Sequence, residues 1–98
     1  MKIDLQREGE NLTVRPDGPI DTMIAPELEK AIKDNMEGVS NLRIDFSDVD
    51  YISSAGLRVL LMRQKEMDNK GSMTIFNVSD DVKETLEIVG LLDFLTVE

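Results

Sequence analysis

The sequence predicts an α/β fold: a mixed, mostly parallel β-sheet with helices packed on one face, in the order β-β-α-β-α-β-α-β. Five short stretches alternate apolar and polar residues, which is typical of strands with one buried and one exposed face. Three segments have helical spacing, and a chain of 98 residues accommodates a single domain, residues 1–98. Continuous apolar strands would indicate a sheet covered on both faces, so the helices are expected on one face only.

The strands are predicted from apolar residues that recur at every second position. They are Ile3/Leu5, Leu12/Val14, Leu42/Ile44/Phe46, Met73/Ile75 and, more weakly, Phe94 to Val97. The first two stretches are separated by Gly9-Glu10-Asn11, a short sequence typical of tight turns. We therefore expect them to form a β-hairpin.

Three segments carry apolar residues at helical spacing. The first is expected to begin with Pro26 and end at Gly38, because proline suits a first helical position and glycine ends helices. The second is expected to be capped by Gly71. The third is expected to begin at Ser79, a good N-cap, and to end in a Schellman-type turn at Gly90. Their apolar stripes are, in order, Leu28/Ala31/Ile32, Leu57/Leu60/Leu61/Met67 and Val82/Leu86/Val89.

The composition excludes several classes of function. The chain has no Cys and no His, which excludes disulfides, thiolate catalysis, zinc–thiolate sites, Ser-His catalysis and histidine metal ligation. A net charge of −9 would repel nucleic acid or an anionic membrane, so a protein is the expected partner. The first residues form no signal peptide and no apolar run approaches a membrane span, which predicts a cytoplasmic protein without membrane insertion. No cofactor or metal is expected.

The segment from Asp45 to Arg58 carries the candidate chemistry. A strand ends, an acidic loop follows, and Ser53-Ser54-Ala55-Gly56 opens the second helix. Ser54 is expected at or beside the N-cap, where its hydroxyl can accept a backbone N–H. The free N–H groups and positive dipole end at a helix start also suit a phosphoryl group. Residue types alone therefore favour a helix cap for Ser54, with a modification site as the alternative.

Two other features have more than one interpretation. The loop aspartates are expected to be a solvated face, with a cation site or an aspartyl-phosphate acceptor as alternatives; they are Asp45, Asp48 and Asp50. They lack the spacing of a calcium loop, and the other acidic pair, Glu8 and Glu10, lies in a hairpin. Without His or Cys, catalysis by this chain is not expected. Met62 is either partly core or a contact surface.

Two motifs identify a family. Ile52-Ser53-Ser54-Ala55-Gly56-Leu57 closely resembles the central motif of the STAS domain, named for sulfate transporters and anti-sigma factor antagonists. Gly18-Pro19-Ile20-Asp21 resembles that family's Gly-x-hydrophobic-Asp turn, and Val89-Gly90-Leu91 fits its ending. The resemblance spans nearly the whole chain and implies a STAS-like single domain. A stand-alone domain of this length implies a bacterial anti-sigma factor antagonist, with a non-phosphorylated accessory subunit of a transport complex as the alternative.

The resemblance also implies a regulated site. In the antagonist subfamily, the serine two positions before the motif glycine is phosphorylated by the partner anti-sigma factor, an ATP-dependent serine kinase. By position that serine is Ser54, so the resemblance favours a phosphoacceptor over a cap, with a phosphatase as a second partner. The unphosphorylated form is expected to bind the anti-sigma factor and release sigma, and phosphorylation to end that binding. The implied partner contacts are Asp21, Ser53, Gly56, Leu57 and Arg58.

Overall fold

The computed structural model describes residues 2–98. The first two strands of the fold form a β-hairpin. Strands β1 (Lys2–Glu8) and β2 (Asn11–Asp17) pair antiparallel. They are joined by Gly9-Glu10, and Gly9 has a φ of 61°, a left-handed conformation that glycine adopts without steric strain. The hairpin predicted from the sequence is confirmed.

Helices and strands alternate after the hairpin. They are α1 (Ala25–Lys33), β3 (Asn41–Asp45), α2 (Ser54–Asp68), β4 (Ser72–Phe76) and α3 (Asp80–Ile88). The strand order in the sheet is β1-β2-β3-β4, and β2, β3 and β4 run parallel to one another. This is the mixed, mostly parallel sheet that the sequence predicts.

One face of the sheet supplies the core. The buried strand residues alternate along β2, β3 and β4: Leu12, Val14, Leu42, Ile44, Met73 and Ile75. They share one hydrophobic cluster with buried residues of all three helices, among them Leu28, Ile32, Leu57, Leu60, Val82 and Leu86. The intervening strand residues Thr13, Arg43 and Thr74 are only partly buried. The helices therefore pack on one face, as the alternation predicts.

Helix α1 begins one residue before Pro26 and ends five residues before Gly38, the two positions that the sequence predicts as its limits. Its first residue is Ala25, so Pro26 takes the second position, where the missing N–H again has no helical partner. The helix ends at Lys33 and not at Gly38. The chain turns directly after the helix, which brings Met36 into the core.

Gly71 does not cap α2, which ends at Asp68 with Asn69 as its C-cap. The backbone at Gly71 is outside the left-handed region, so the glycine is not needed for its φ. A Cβ at Gly71 would instead collide with the backbone carbonyl of Ser40. The glycine therefore permits a close approach between the segments that lead into β4 and β3.

Helix α3 begins and ends as predicted. The Oγ atom of Ser79 accepts the N–H of Val82 at 3.2 Å, which is an N-cap bond. At the other end Gly90 has a φ of 76°, and the N–H of Leu91 donates to the carbonyl of Leu86 at 2.9 Å. These features confirm the Schellman-type ending.

Two predictions for the C-terminal segment are wrong. Val89 is 52% exposed, because it is the C-cap of α3 and lies past the buried stripe. Phe94 to Val97 form no fifth strand, since residues 92–94 form a turn, residue 95 a bend, and only Val97 forms a bridge, with Ile75. No helix in the described range is both long and apolar enough to cross a lipid bilayer.

Candidate functional site

The two sequence motifs lie side by side beyond the carboxyl ends of β2 and β3. The N–H of Ile20 donates to the carbonyl of Tyr51 at 2.9 Å, and the N–H of Ser53 donates back to the carbonyl of Ile20 at 2.8 Å. Ile20 and Ile52 form a parallel bridge between the same two loops. The Gly-x-hydrophobic-Asp turn, residues 18–21, is therefore hydrogen bonded to the segment that leads into α2.

Asp21 organises the turn before α1. One of its carboxylate oxygens, Oδ1, accepts the N–H of Met23 at 3.0 Å and that of Ile24 at 2.8 Å. Its backbone carbonyl accepts the N–H of Ala25 at 3.0 Å. Asp21 itself remains exposed, so its carboxylate both stabilises the turn and borders the surface.

Ser53, and not Ser54, is the N-cap of α2. Its backbone is extended, and its Oγ accepts the N–H of Gly56 at 3.2 Å. The Ser53 residue is 8% exposed, so its hydroxyl faces the protein. The capping role that residue types favour for Ser54 is therefore wrong, and it belongs to the neighbouring Ser53.

Ser54 is the first residue of α2 and is exposed. Its hydroxyl makes no hydrogen bond to any of residues 2–98. The first turn of α2 contains no acidic side chain, so the positive end of the helix dipole is not offset by the helix's own residues. An exposed hydroxyl thus stands where a negatively charged group would be stabilised.

Gly56 allows the start of α2 to pack closely on the two loops. A Cβ at this position would lie 2.7 Å from Cγ1 of Ile52 and 2.8 Å from Cγ2 of Ile20, both well inside contact distance. Leu57, the next residue, is 8% exposed and belongs to the core. Gly56 and Leu57 therefore hold the helix start in place and offer little surface of their own.

The site residues predicted from the sequence fall into two groups. Ser53, Gly56 and Leu57 are buried and position the helix start, whereas Asp21, Ser54 and Arg58 are exposed. Two exposed apolar side chains next to them were not predicted, Met23 at 84% and Tyr51 at 55%. The only indication of these two residues in the sequence is that each is an apolar residue in a loop. We call the exposed set the acceptor surface: Asp21, Met23, Tyr51, Ser54 and Arg58.

A groove of about 740 Å³ lies between α1 and α2 next to the acceptor surface. Ala25, Pro26, Val59 and Met62 provide its apolar lining, and Arg58 contributes to its edge. Met62 is 46% exposed, which favours the contact-surface interpretation over a core role.

Asp45 and Asp48 form contacts within the protein, whereas Asp50 is exposed. Burial would by itself raise the pKa of Asp45, but the backbone N–H of Ser47 and the side chain of Asn77 donate to its carboxylate and lower its pKa below the ordinary value. Asp48 pairs with Arg15 at 2.8 Å.

The acidic hairpin and the acidic loop lie at opposite ends of the sheet. The β1–β2 turn, with Glu8 and Glu10, lies at the amino end of β2, whereas Asp45 closes β3 at its carboxyl end. The structure thus does not bring together the acidic residues that an aspartyl-phosphate receiver would need. In the described part of the chain, no group of three or more Asp or Glu residues is arranged to hold a metal ion.

Comparisons with known proteins agree with the fold and with the motifs. The sequence model of the STAS domain matches residues 2–98. The anti-sigma-B factor antagonist of Listeria monocytogenes is 30% identical over 96 residues, which cover 95% of this chain and 83% of the relative. The anti-sigma factor antagonist SpoIIAA, solved in its unphosphorylated form, superimposes with a TM-score of 0.83 at 19% identity, over 99% of this chain and 88% of that one. The phosphorylated form of SpoIIAA, a Bacillus cell fate determinant, gives 0.76 at 18% identity, over 99% and 91%.

Proposed function

Since this chain belongs to the STAS domain family, we propose that it is an anti-sigma factor antagonist whose binding is controlled by phosphorylation of Ser54. In this proposal the unphosphorylated protein binds a kinase-type anti-sigma factor and so releases sigma. The same anti-sigma factor phosphorylates Ser54 and dissociates, and a phosphoserine phosphatase restores the binding form. The names of the curated relatives support the antagonist role.

The observation that carries the proposal is that the two adjacent serines have different structural roles. Ser53 caps α2 from a buried position, so Ser54 is left exposed with a free hydroxyl. Ala55 and Gly56 add almost no side-chain bulk next to it, which leaves room for the active site of a docking kinase. An acceptor serine needs such access, whereas a structural cap does not.

A phosphate at Ser54 is tolerated by the free protein. It adds about −1.5 to −2 charges and three acceptor oxygens at neutral pH. The start of α2 carries the positive end of the helix dipole, which favours a negative charge by a few tenths of a kcal/mol up to ~2 kcal/mol. We therefore expect the phosphorylated protein to keep its fold.

A partner docked on the acceptor surface does not tolerate the same phosphate. The new charge adds to those of the exposed Asp21 and Asp50 on the two hydrogen-bonded loops, so an acidic or apolar surface opposite Ser54 is repelled or desolvated at a cost. A loss of ~3–4 kcal/mol of binding free energy would weaken the complex several-hundredfold. That loss is sufficient for a two-state switch.

Binding measurements test this proposal. The affinity of the protein for the kinase-type anti-sigma factor of the same organism is measured for Ser54→Ala, for Ser54→Asp and for protein phosphorylated at Ser54. We expect Ser54→Ala to bind as tightly as the unmodified protein and the phosphorylated protein to bind several-hundredfold more weakly. Ser54→Asp should lose a smaller part of the affinity, because it adds one charge instead of nearly two.

Ser79→Asp is the matched control for this experiment. It adds a negative charge at the other serine-capped helix start, and aspartate is as good an N-cap as serine. We expect this variant to bind like the unmodified protein. Equal and tight binding by Ser54→Ala, Ser54→Asp and the phosphorylated protein would overturn the proposal.

A further inference from the structure

Arg58 differs from the other arginines of the described residues. The other four arginines, Arg7, Arg15, Arg43 and Arg63, each form an ion pair or a hydrogen bond. Within residues 2–98, Arg58 makes neither, although the chain carries nearly twice as many acidic as basic residues. An exposed guanidinium without a partner in so acidic a protein is available to an anion that is absent from the unmodified chain.

The position of Arg58 on α2 relates it directly to Ser54. The two residues are four positions apart in one helix, so their Cβ atoms lie roughly 5–6 Å apart on the same face. Side chains on a helix tilt toward its N-terminus, which directs a long side chain at position 58 over the turn that contains Ser54. An acidic group four residues before a basic one is also the favourable order for an ion pair on a helix.

The other charged residues around this turn are either negative or already paired. Asp21 and Asp50, on the two loops, have the same sign as a phosphate. Lys30 and Lys33, on the neighbouring α1, pair with Asp34 at 2.7 Å and with Glu29 at 3.2 Å. Among the residues that the structure describes, Arg58 is thus the free cation next to the start of α2.

Resting on the phosphorylation switch proposed above, we propose that Arg58 is the intramolecular ligand of the phosphate on Ser54. The planar guanidinium offers paired N–H donors that match two phosphate oxygens. In the unmodified protein Arg58 presents a single positive charge on the acceptor surface. After phosphorylation the phosphate binds this cation, and the pair carries a net charge of about −1 at neutral pH. The modification therefore adds negative charge and also withdraws the free cation that a docking partner would meet.

The test titrates the phosphate itself and requires no partner protein. Phosphoserine is incorporated at position 54 by genetic encoding, and its second ionisation is followed by ³¹P NMR between about pH 4 and 8, around its usual pKa of roughly 6. The dianion is stabilised by Arg58 more than the monoanion is. We therefore expect the midpoint to lie about half a pH unit lower in the otherwise unmodified protein than in Arg58→Gln.

Two further variants separate a specific contact from a general effect of charge. Lys65→Gln removes one positive charge from the same helix, eleven residues from Ser54, and should leave the midpoint unchanged. Arg58→Lys keeps the charge but not the paired donors, so its midpoint should fall between those of the unmodified protein and Arg58→Gln. Circular dichroism of each protein checks that its total helix content is unchanged.

The thermal midpoint of unfolding provides a second readout. Phosphorylation should raise it more in the protein with Arg58 than in Arg58→Gln. Equal ³¹P midpoints in the two proteins, or a shift that Lys65→Gln reproduces, would overturn the role of Arg58. Neither result would affect the Ser54 switch, which is tested separately by the binding measurements.

Discussion

Helices α2 and α3 begin with the same structural device and differ in the residues of their first turns. Ser53 and Ser79 are both extended, and each Oγ accepts the N–H of the residue three positions later at 3.2 Å. After its cap, α3 continues with Asp80 and Asp81, which offset the positive end of its dipole. The first turn of α2 has no acidic residue and exposes Ser54 instead.

The two helix starts therefore differ in how the charge of the helix dipole is balanced. The start of α3 has its cap bond, and acidic side chains of its own first turn offset the positive end of its dipole. The start of α2 has its cap bond but lacks an anion, and it is packed closely on two loops through Gly56. We interpret the start of α3 as balanced by its own acidic side chains, and the start of α2 as a place where a phosphate on Ser54 would supply the missing negative charge.

The largest expected effect concerns the packing under the start of α2. Gly56 and Val82 occupy the same position relative to their caps, but only Gly56 lies where a Cβ would press on Ile20 and Ile52. We expect Gly56→Ala to lower the free energy of unfolding by about 1–3 kcal/mol, because the neighbours must shift to admit the methyl group. Urea unfolding measures this.

Ser54→Ala is the control for that experiment. It changes an exposed side chain two positions away and should alter stability by less than about 0.5 kcal/mol. If Gly56→Ala unfolds at the same urea concentration as the unmodified protein, α2 is not packed on the loops as described.

The next largest effect is the loss of unfolding free energy when either N-cap serine is replaced. Ser53→Ala and Ser79→Ala should each cost about 1 kcal/mol of unfolding free energy, since each leaves one N–H of the first helical turn without its side-chain partner. Ser54→Ala should cost less than either. A loss from Ser54→Ala as large as that from Ser53→Ala would contradict the assignment of the cap to Ser53.

The smallest effect concerns the dipoles. Ser54→Asp should raise the free energy of unfolding by about 0.3–1 kcal/mol at low ionic strength, because it supplies the anion that the start of α2 lacks. Asp81→Asn should lower it by a similar amount, because it removes such an anion from α3. Both changes should shrink at about 1 M salt, where the Debye length is roughly 3 Å. Destabilisation by Ser54→Asp at low salt would remove the contrast between the two helices.

Local signals explain what could be predicted from the sequence. Ser79 as a cap and Gly90 as a Schellman residue were correct, because the capping bonds of α3 involve residues within a few positions. The alternation along the strands was sufficient for the mixed sheet with helices on one face. The family motif located Ser54, and the neighbouring turn ending in Asp21 is hydrogen bonded to the same region.

The remaining features depend on contacts between distant parts of the chain. Two adjacent serines are equivalent as caps in sequence, whereas in the structure the N–H of Ser53 donates to the carbonyl of the distant Ile20, and its hydroxyl is the buried one. Gly71 reads as a helix cap but is required by the approach of Ser40, 31 residues earlier. Met23 and Tyr51 are apolar residues in loops, but their exposure depends on how the two loops meet.

Phosphorylation of the purified protein tests the central claim most directly. The protein is incubated with the kinase-type anti-sigma factor of its own organism and ATP, and its intact mass is measured together with that of Ser53→Ala and Ser54→Ala. We predict one added phosphoryl group on the unmodified protein and on Ser53→Ala, and none on Ser54→Ala. A phosphoryl group on Ser54→Ala, or none on the unmodified protein, would contradict the account of Ser54 as the acceptor.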